Sequence, residues 1–306
     1  MKFILYILLI FSSEGFTQTI LKPGPEYLAL SLKALRLYYQ QNYDQSDQVF
    51  DSLFVLSKGQ MTRTDYYYAA CVAAVTKQPD KAFKHLRKVL LDGKWVNVKN
   101  VENEDDLKSL HNDARWPQII DSIGMINLVA VAGMDTVLME KLDSILQVDQ
   151  GERSKIDSIA QSFGWGSKQM DSLIRKMAKH DSTNLKVITA IIDAQGWLGP
   201  DKIGDQGSQT LFLVIQHADS ATQEKYLPLM KAAVERGNAK PQDLALLTDR
   251  VLMRQGKKQI YGSQVNADST GKYFFYPIED EKNVNKRRTE IGLGPIEEYA
   301  LFFRIE

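Results

Sequence analysis

Apolar residues recur three and four apart along most of this chain, and that spacing constrains it to helices. Between Tyr27 and Gln40 they are Leu28, Leu32, Leu35 and Tyr39, which form one face of an α-helix. Asn42-Tyr43-Asp44 interrupts the pattern, and Val49, Phe50, Leu53 and Phe54 resume it. A second pair follows. Small residues run from Tyr67 to Val75, Gln78-Pro79-Asp80 turns the chain, and Ala82, Phe83, Leu86, Val89 and Leu90 make the return helix. Asp105 to Ile120, with Leu107, Leu110, Trp116 and Ile119, supplies a capping surface. Gly124 to Gly133 reads as a short apolar bridge, and the boundary between two domains is placed near it.

Beyond the bridge, Asp135 to about Ser162 reads as one long helix. At about 100° per residue, Leu142, Ile145, Leu146, Ile156 and Ala160 share a side with Leu138. Asp149 and Arg153 fall on that same stripe, four apart, a spacing that lets them pair. Burying either charge alone is costly, so the pair is either a satisfied core ion pair or one wall of a pocket, with Gln150 at its edge. Ser167 opens a helix through Lys179, and Asp181 reads as the N-cap of the next one. That next helix, with Leu185, Val187, Ile188, Ile191 and Ile192, is apolar almost all round and therefore buried. Gly196 ends it, and the stretch from Trp197 to Gly207 reads as a loop.

The loop leads to Gln209–Asp219 (QTLFLVIQHAD), a stretch apolar on both sides that ends in Gln216, His217 and Asp219. Pro241 to Gln255 repeats the design. Leu244, Leu247, Val251 and Leu252 form one face, and Leu246 and Met253 lie opposite beside Asp249 and Arg250. Both helices read as internal, and each carries a polar pair beside apolar residues. Gln259 to Val265 and Lys272 to Ile278 are rich in β-branched and aromatic residues around a turn-rich loop, so a small β-hairpin is predicted. Gly262 marks a bulge or a close backbone approach. Arg287 and Arg288 lie on a further helix, and Ile296 to Phe303 closes the chain. The fold class is mainly α: helical hairpins, then a helical domain with one β-hairpin.

Composition excludes some functions. With 38 basic and 38 acidic residues the net charge is zero, against the basic excess of a nucleic-acid protein. Lys2, the apolar run Phe3–Phe11 and the small or polar residues after it resemble a secretory signal. Residues 1–19 are read as that signal, with cleavage between Gly15 and Thr19 and no stable membrane span afterwards. The expected location is exported, in a bacterial periplasm or outside the cell. The single Cys71 cannot form an intramolecular disulfide, and its small-residue setting marks it as a core residue.

Two resemblances organise the domains. Ala34, Tyr38, Tyr43, Phe50 and Leu53, then Ala70, Ala74, Asp80, Lys81, Ala82, Phe83 and Leu86, make residues 20–125 resemble a tetratricopeptide-like repeat domain. Ser46 stands where that family usually has alanine. Such repeats imply a scaffold or docking surface for a protein or peptide partner. Residues 134–306 are read as the second domain, and about residues 135 to 300 of it resemble a bacterial domain family of unknown function. The matching residues are Asp149-Gln150 with Arg153, Gly196-Trp197, Gln216-His217-Ala218-Asp219, Leu227-Pro228, Asp249-Arg250, Gln259 with Tyr261-Gly262-Ser263-Gln264, Pro277-Ile278-Glu279-Asp280 and Arg287-Arg288. Leu198 and Ser263 depart from its expected proline and threonine. The resemblance implies a mainly helical domain and brings no activity.

These polar fragments are expected to meet in one partly buried cluster. Asp149, Gln150, Arg153, Gln216, Asp219, Arg250, Gln259, Tyr261, Gln264 and Arg287 are its candidate ligand-binding residues, and His217 with Asp249 its candidate acid/base pair. Arginine and glutamine in such a mixture suit carboxylate or amide recognition. Three classes stay open: a pocket for a small or peptide-like ligand, a hydrolase using His217 as acid/base, and a purely structural domain beside a partner-binding repeat array. No cofactor is expected, since phosphate-loop and HExxH motifs are both absent. His217 with Asp219 and Asp249 lacks the spacing of a metal site.

Overall fold

A computed structural model describes residues 23–305 apart from 92, 94, 95 and 269–271. The signal segment read in residues 1–19 therefore lies outside the described residues. The described chain divides into two compact units, one of Pro23–Ala132 and one containing Gly133–Glu306. Among the described residues there are fourteen α-helices and one two-stranded antiparallel sheet. None of these helices is long and apolar enough to cross a membrane.

The first unit is built from α1 (Pro25–Tyr39), α2 (Tyr43–Leu56), α3 (Arg63–Val75), α4 (Pro79–Val89), α5 (Val98–Glu102) and α6 (Trp116–Ala130), with a 3-10 turn at Asp105–Leu110. Helix α1 packs on α2, α2 on α3, and α3 on α4. Ala70, Cys71, Ala73 and Ala74 let α4 approach closely, so that Phe83, Leu86, Trp116 and Ile119 close over them. Burial pushes the Cys71 thiol well above its ordinary pKa, which leaves it an inert core residue. Ser46 is fully buried and donates to the Ala34 carbonyl at 2.8 Å, which satisfies its hydroxyl. Asp65, also buried, fastens α1 to α3 by accepting from Tyr27, from Ser31 at 2.6 Å and from Thr62 at 2.7 Å.

The second unit comprises α7 (Thr136–Arg153), α8 (Ile156–Phe163), α9 (Lys168–Gln195), α10 (Pro200–His217), α11 (Ser220–Glu235), α12 (Pro241–Arg254), α13 (Val284–Glu290) and α14 (Ile296–Ala300), with β1 (Val265–Ala267) and β2 (Tyr273–Phe275). Helix α10 is its axis and packs against α7, α9, α11 and α12. Every residue from Thr210 to Gln216 is buried, which is why both faces of that stretch are apolar. Each of its large aliphatic or aromatic side chains contributes roughly 1.5–3 kcal/mol by leaving water. Gly207 is the contact point with α7, where a Cβ would meet Leu142 Cδ1 at 3.1 Å. In the hairpin Val265 faces Phe275, Asn266 faces Phe274 and Ala267 faces Tyr273.

The stretch read as a bridge from Gly124 is helical to Ala130 as the second half of α6, and the two hairpin strands are only three residues long each. Three further boundaries differ from the sequence reading, each for a local reason. The expected single helix from Asp135 to Ser162 breaks after Arg153, where the chain turns at Ser154 and Lys155 before α8. The helices expected on either side of Lys179 are one 28-residue helix. Asp181 lies within it and pairs with Arg153 rather than capping anything. The loop expected from Trp197 to Gly207 is short. Pro200 occupies the first turn of α10, and Gly204, at φ 69°, only kinks it.

Candidate functional site

Helix α7 delivers Asp149, Gln150 and Arg153, α9 delivers Asp181, and the end of α10 delivers Gln216 and His217. Asp149, 1% exposed, accepts from Arg153 Nη1 at 2.8 Å on Oδ1 and from Gln150 Nε2 at 2.6 Å on Oδ2. Arg153 also donates to both oxygens of Asp181 at 2.8 Å. The Nδ1 of His217 lies 3.1 Å from Asp149 Oδ1. Burial pushes the Asp149 carboxyl up, but His217, Arg153 and Gln150 together outweigh it and hold it below its ordinary value. Burial pulls the His217 ring below its ordinary value, Asp149 opposes this, and the cations Arg153 and Arg250 add to the lowering. At neutral pH the pair is thus an ionised carboxylate accepting Nδ1–H from a neutral imidazole. That leaves Nε2 as the acceptor of the ring.

Helix α12 brings the second group. Arg250 donates through Nη1 to the Gln216 carbonyl at 2.9 Å and through Nε to Gln264 Oε1 at 2.9 Å. One turn on, Arg254 donates to the Ala218 carbonyl at 2.8 Å and to Gln223 Oε1 at 3.0 Å, while Gln223 Nε2 donates to the Gln216 carbonyl at 2.8 Å. The open carbonyls at the end of α10 are therefore held by side chains of α11 and α12. The Gln216 side chain is different. It is fully buried, and neither its Oε1 nor its Nε2 has a protein partner. The Oε1 of Gln150, beside Asp149, is likewise buried without one.

A family model described as "Family of unknown function (DUF6624)" matches residues 136–304. The chain belongs to this family. No curated protein and no solved structure matches it. The DUF6624 match runs from the start of α7 to the closing turn after α14, so it contains every residue of the cluster above.

Within the DUF6624 domain, some residues expected at the site serve the backbone instead. Asp249 is fully buried and accepts from the amides of Ile260 (2.7 Å), Tyr261 (3.1 Å) and Ser263 (3.0 Å). It is not the carboxylate on His217, a place that Asp149 takes. Gln259 donates to the Gln264 and Tyr276 carbonyls at 3.0 and 2.7 Å and accepts from the Gln264 amide. Arg287 donates to the carbonyls of Ile260, Glu279 and Asp280. Tyr261 contributes its backbone amide to Asp249, and Gln264 touches the cluster through Arg250. Asp219 is exposed and caps α11, accepting from the Thr222 amide at 2.9 Å. These bonds shape the 259–264 loop, where Gly262 takes φ 66° and an added Cβ would sit 2.4 Å from Ile296 Cδ1.

The sequence reading missed Asp181, Arg254 and Gln223. Running α9 unbroken through Asp181 was the available signal for the first, and the one-turn spacing from Arg250 for the second. Among the described residues no three His, Cys, Asp or Glu side chains are grouped to hold a metal ion. The first unit has a cleft of about 420 Å³ between α2 and α4, lined by Phe54, Lys81, Lys84 and His85 among others. His85 is 4% exposed, and its Nδ1 has no partner. Burial, then Lys81 and Lys84, lower its pKa to about 4.

Proposed function

We propose that the DUF6624 domain binds a small or peptide-like polar ligand in the cluster of Asp149, Arg153, Gln216, His217 and Arg250. In this reading the first unit is a tetratricopeptide-like docking surface for a protein or peptide, and the protein works after export. The observation that carries the pocket is the Gln216 amide, next to His217 in the sequence and fully buried with both ends unbonded. A network kept for stability completes its bonds, because each buried orphan costs about 1–3 kcal/mol. A binding site keeps such groups for its ligand.

Gln216→Leu is therefore expected to raise the unfolding free energy by about 1 kcal/mol, since it removes an unpaid desolvation. Urea denaturation of the full chain measures it. A loss of similar size would mean that the amide is bonded and structural, and the pocket reading would go with it.

One observation favours a hydrolase as the second reading. A neutral His217 oriented through Nδ1 by an ionised Asp149 is the arrangement of a general base. Among the described residues Asp149 is the one hydrogen-bond partner of His217, so the nucleophile in this reading is water. His217→Ala would then abolish hydrolysis of a p-nitrophenyl ester by the purified protein. Equal rates for variant and parent would remove the enzyme reading.

A further inference from the structure

We propose that the group recognised by this pocket is an oxyanion, a carboxylate or a phosphate, anchored on Arg250. The inference rests on the pocket reading above and names its ligand class. It starts from how the three arginines around the end of α10 are neutralised. Arg153 has two carboxylates at 2.8 Å, Asp149 and Asp181. Arg250 has none. Its acceptors are a backbone carbonyl and an amide oxygen, those of Gln216 and Gln264. Arg254, exposed at the rim, likewise donates only to a carbonyl and an amide oxygen.

The end of helix α10 offsets part of this charge, but a helix C-terminus supplies only about half an elementary charge against two guanidiniums. Arg250 is half-buried, so water screens it incompletely, and it still reaches solvent. Of its five N–H groups, two are spent on the protein, and Nη2 has no protein acceptor. A guanidinium whose Nη2 lacks an acceptor matches an oxygen of a carboxylate or phosphate by a charge-assisted hydrogen bond. Burial first, and Arg254 second, lower its pKa to about 10, the direction expected of a cation lacking a counter-charge.

The neighbours refine the ligand. Neutral His217 offers an acceptor at Nε2, and the orphaned Gln216 amide offers an NH2 with two donors and a carbonyl acceptor. An oxyanion accepts from Arg250 and from the Gln216 NH2, and from Nε2 once His217 takes up a proton beside it. N-acetylglycine, inorganic phosphate and the uncharged N-acetylglycinamide separate the sources of that chemistry. The readout is the His217 ring resonance followed by NMR through a pH titration of the full chain. An anion bound beside a neutral imidazole favours its protonated form, so the apparent pKa of His217 should rise on adding N-acetylglycine or phosphate.

Arg250→Gln should weaken that response about tenfold, the loss of one charge-assisted anchor. Arg254→Gln, at an exposed position, provides a variant that keeps the fold and should weaken it by a smaller factor. N-acetylglycine acting without phosphate would identify a carboxylate, and the converse a phosphate. An undiminished response in both variants would place the anion elsewhere and overturn the assignment. A response to N-acetylglycinamide alone would overturn the anion and leave the pocket standing. Silence of His217 to all three probes would remove both.

Discussion

Replacing Asp249 with Asn should unfold the second unit at markedly lower urea concentration, with a loss of about 3 kcal/mol. Both carboxylate oxygens of Asp249 accept backbone amides, from Ile260 and Tyr261 on one and from Tyr261 and Ser263 on the other. Asn has nearly the same shape but turns one acceptor into an NH2 donor. One buried N–H then loses its partner and faces another donor, and each such loss costs about 1–3 kcal/mol. The loop it fixes also holds Gln264, which receives Arg250 Nε at 2.9 Å, so the pocket should loosen with the fold. An unchanged urea midpoint would show that the 259–264 loop is held without it by Gln259, by Arg287 and by Arg288, which donates to the Tyr261 carbonyl at 2.8 Å.

The second large effect depends on pH. Asp243, in the first turn of α12, is 6% exposed, and burial raises its carboxyl to about 7, with Lys240 opposing. A carboxylate in the unfolded chain titrates near pH 3.9. Between these values the folded state holds a proton that the unfolded state has released, so stability is full below about pH 4 and is lost as pH rises through about 7. Three units at about 1.4 kcal/mol each, less up to about 1 kcal/mol from the helix dipole, give roughly 3 kcal/mol. Asp249 is raised in the same direction by burial, and Asp149 is shifted the other way. Asp243→Asn should therefore stabilise the protein by about 3 kcal/mol at pH 8 and by little at pH 4. Equal gains at both pH values would show that Asp243 ionises normally in the folded state.

The boundary between what was legible and what was not follows the range of the interactions. Helix periodicity is local. The stripes at Leu28, Leu32 and Leu35 and the doubly apolar run at Leu211–Ile215 define helices by the residues themselves, and so does the β-rich, turn-centred tail. These determined the fold class, mainly α with one small hairpin. The motifs from Asp149 to Arg288 likewise pointed to a family of unknown function, and the family match now covers residues 136–304. Even the Asp149–Arg153 pair was readable, because a four-residue spacing fixes both side chains on one face.

Only the tertiary structure decided how these pieces are used. Whether His217 meets Asp149 or Asp249 depends on which helix lies beside the end of α10, and the two carboxylates stand 68 and 32 residues from it in sequence. Asp219 and Asp181 changed roles for the same reason. An Asp before a helix caps it, whereas an Asp inside one is free to meet a distant guanidinium such as Arg153. The missing counter-charge of Arg250 is the extreme case. It is a property of everything packed around one side chain, and a chain with 38 charges of each sign gives no hint of it until those charges are placed in space.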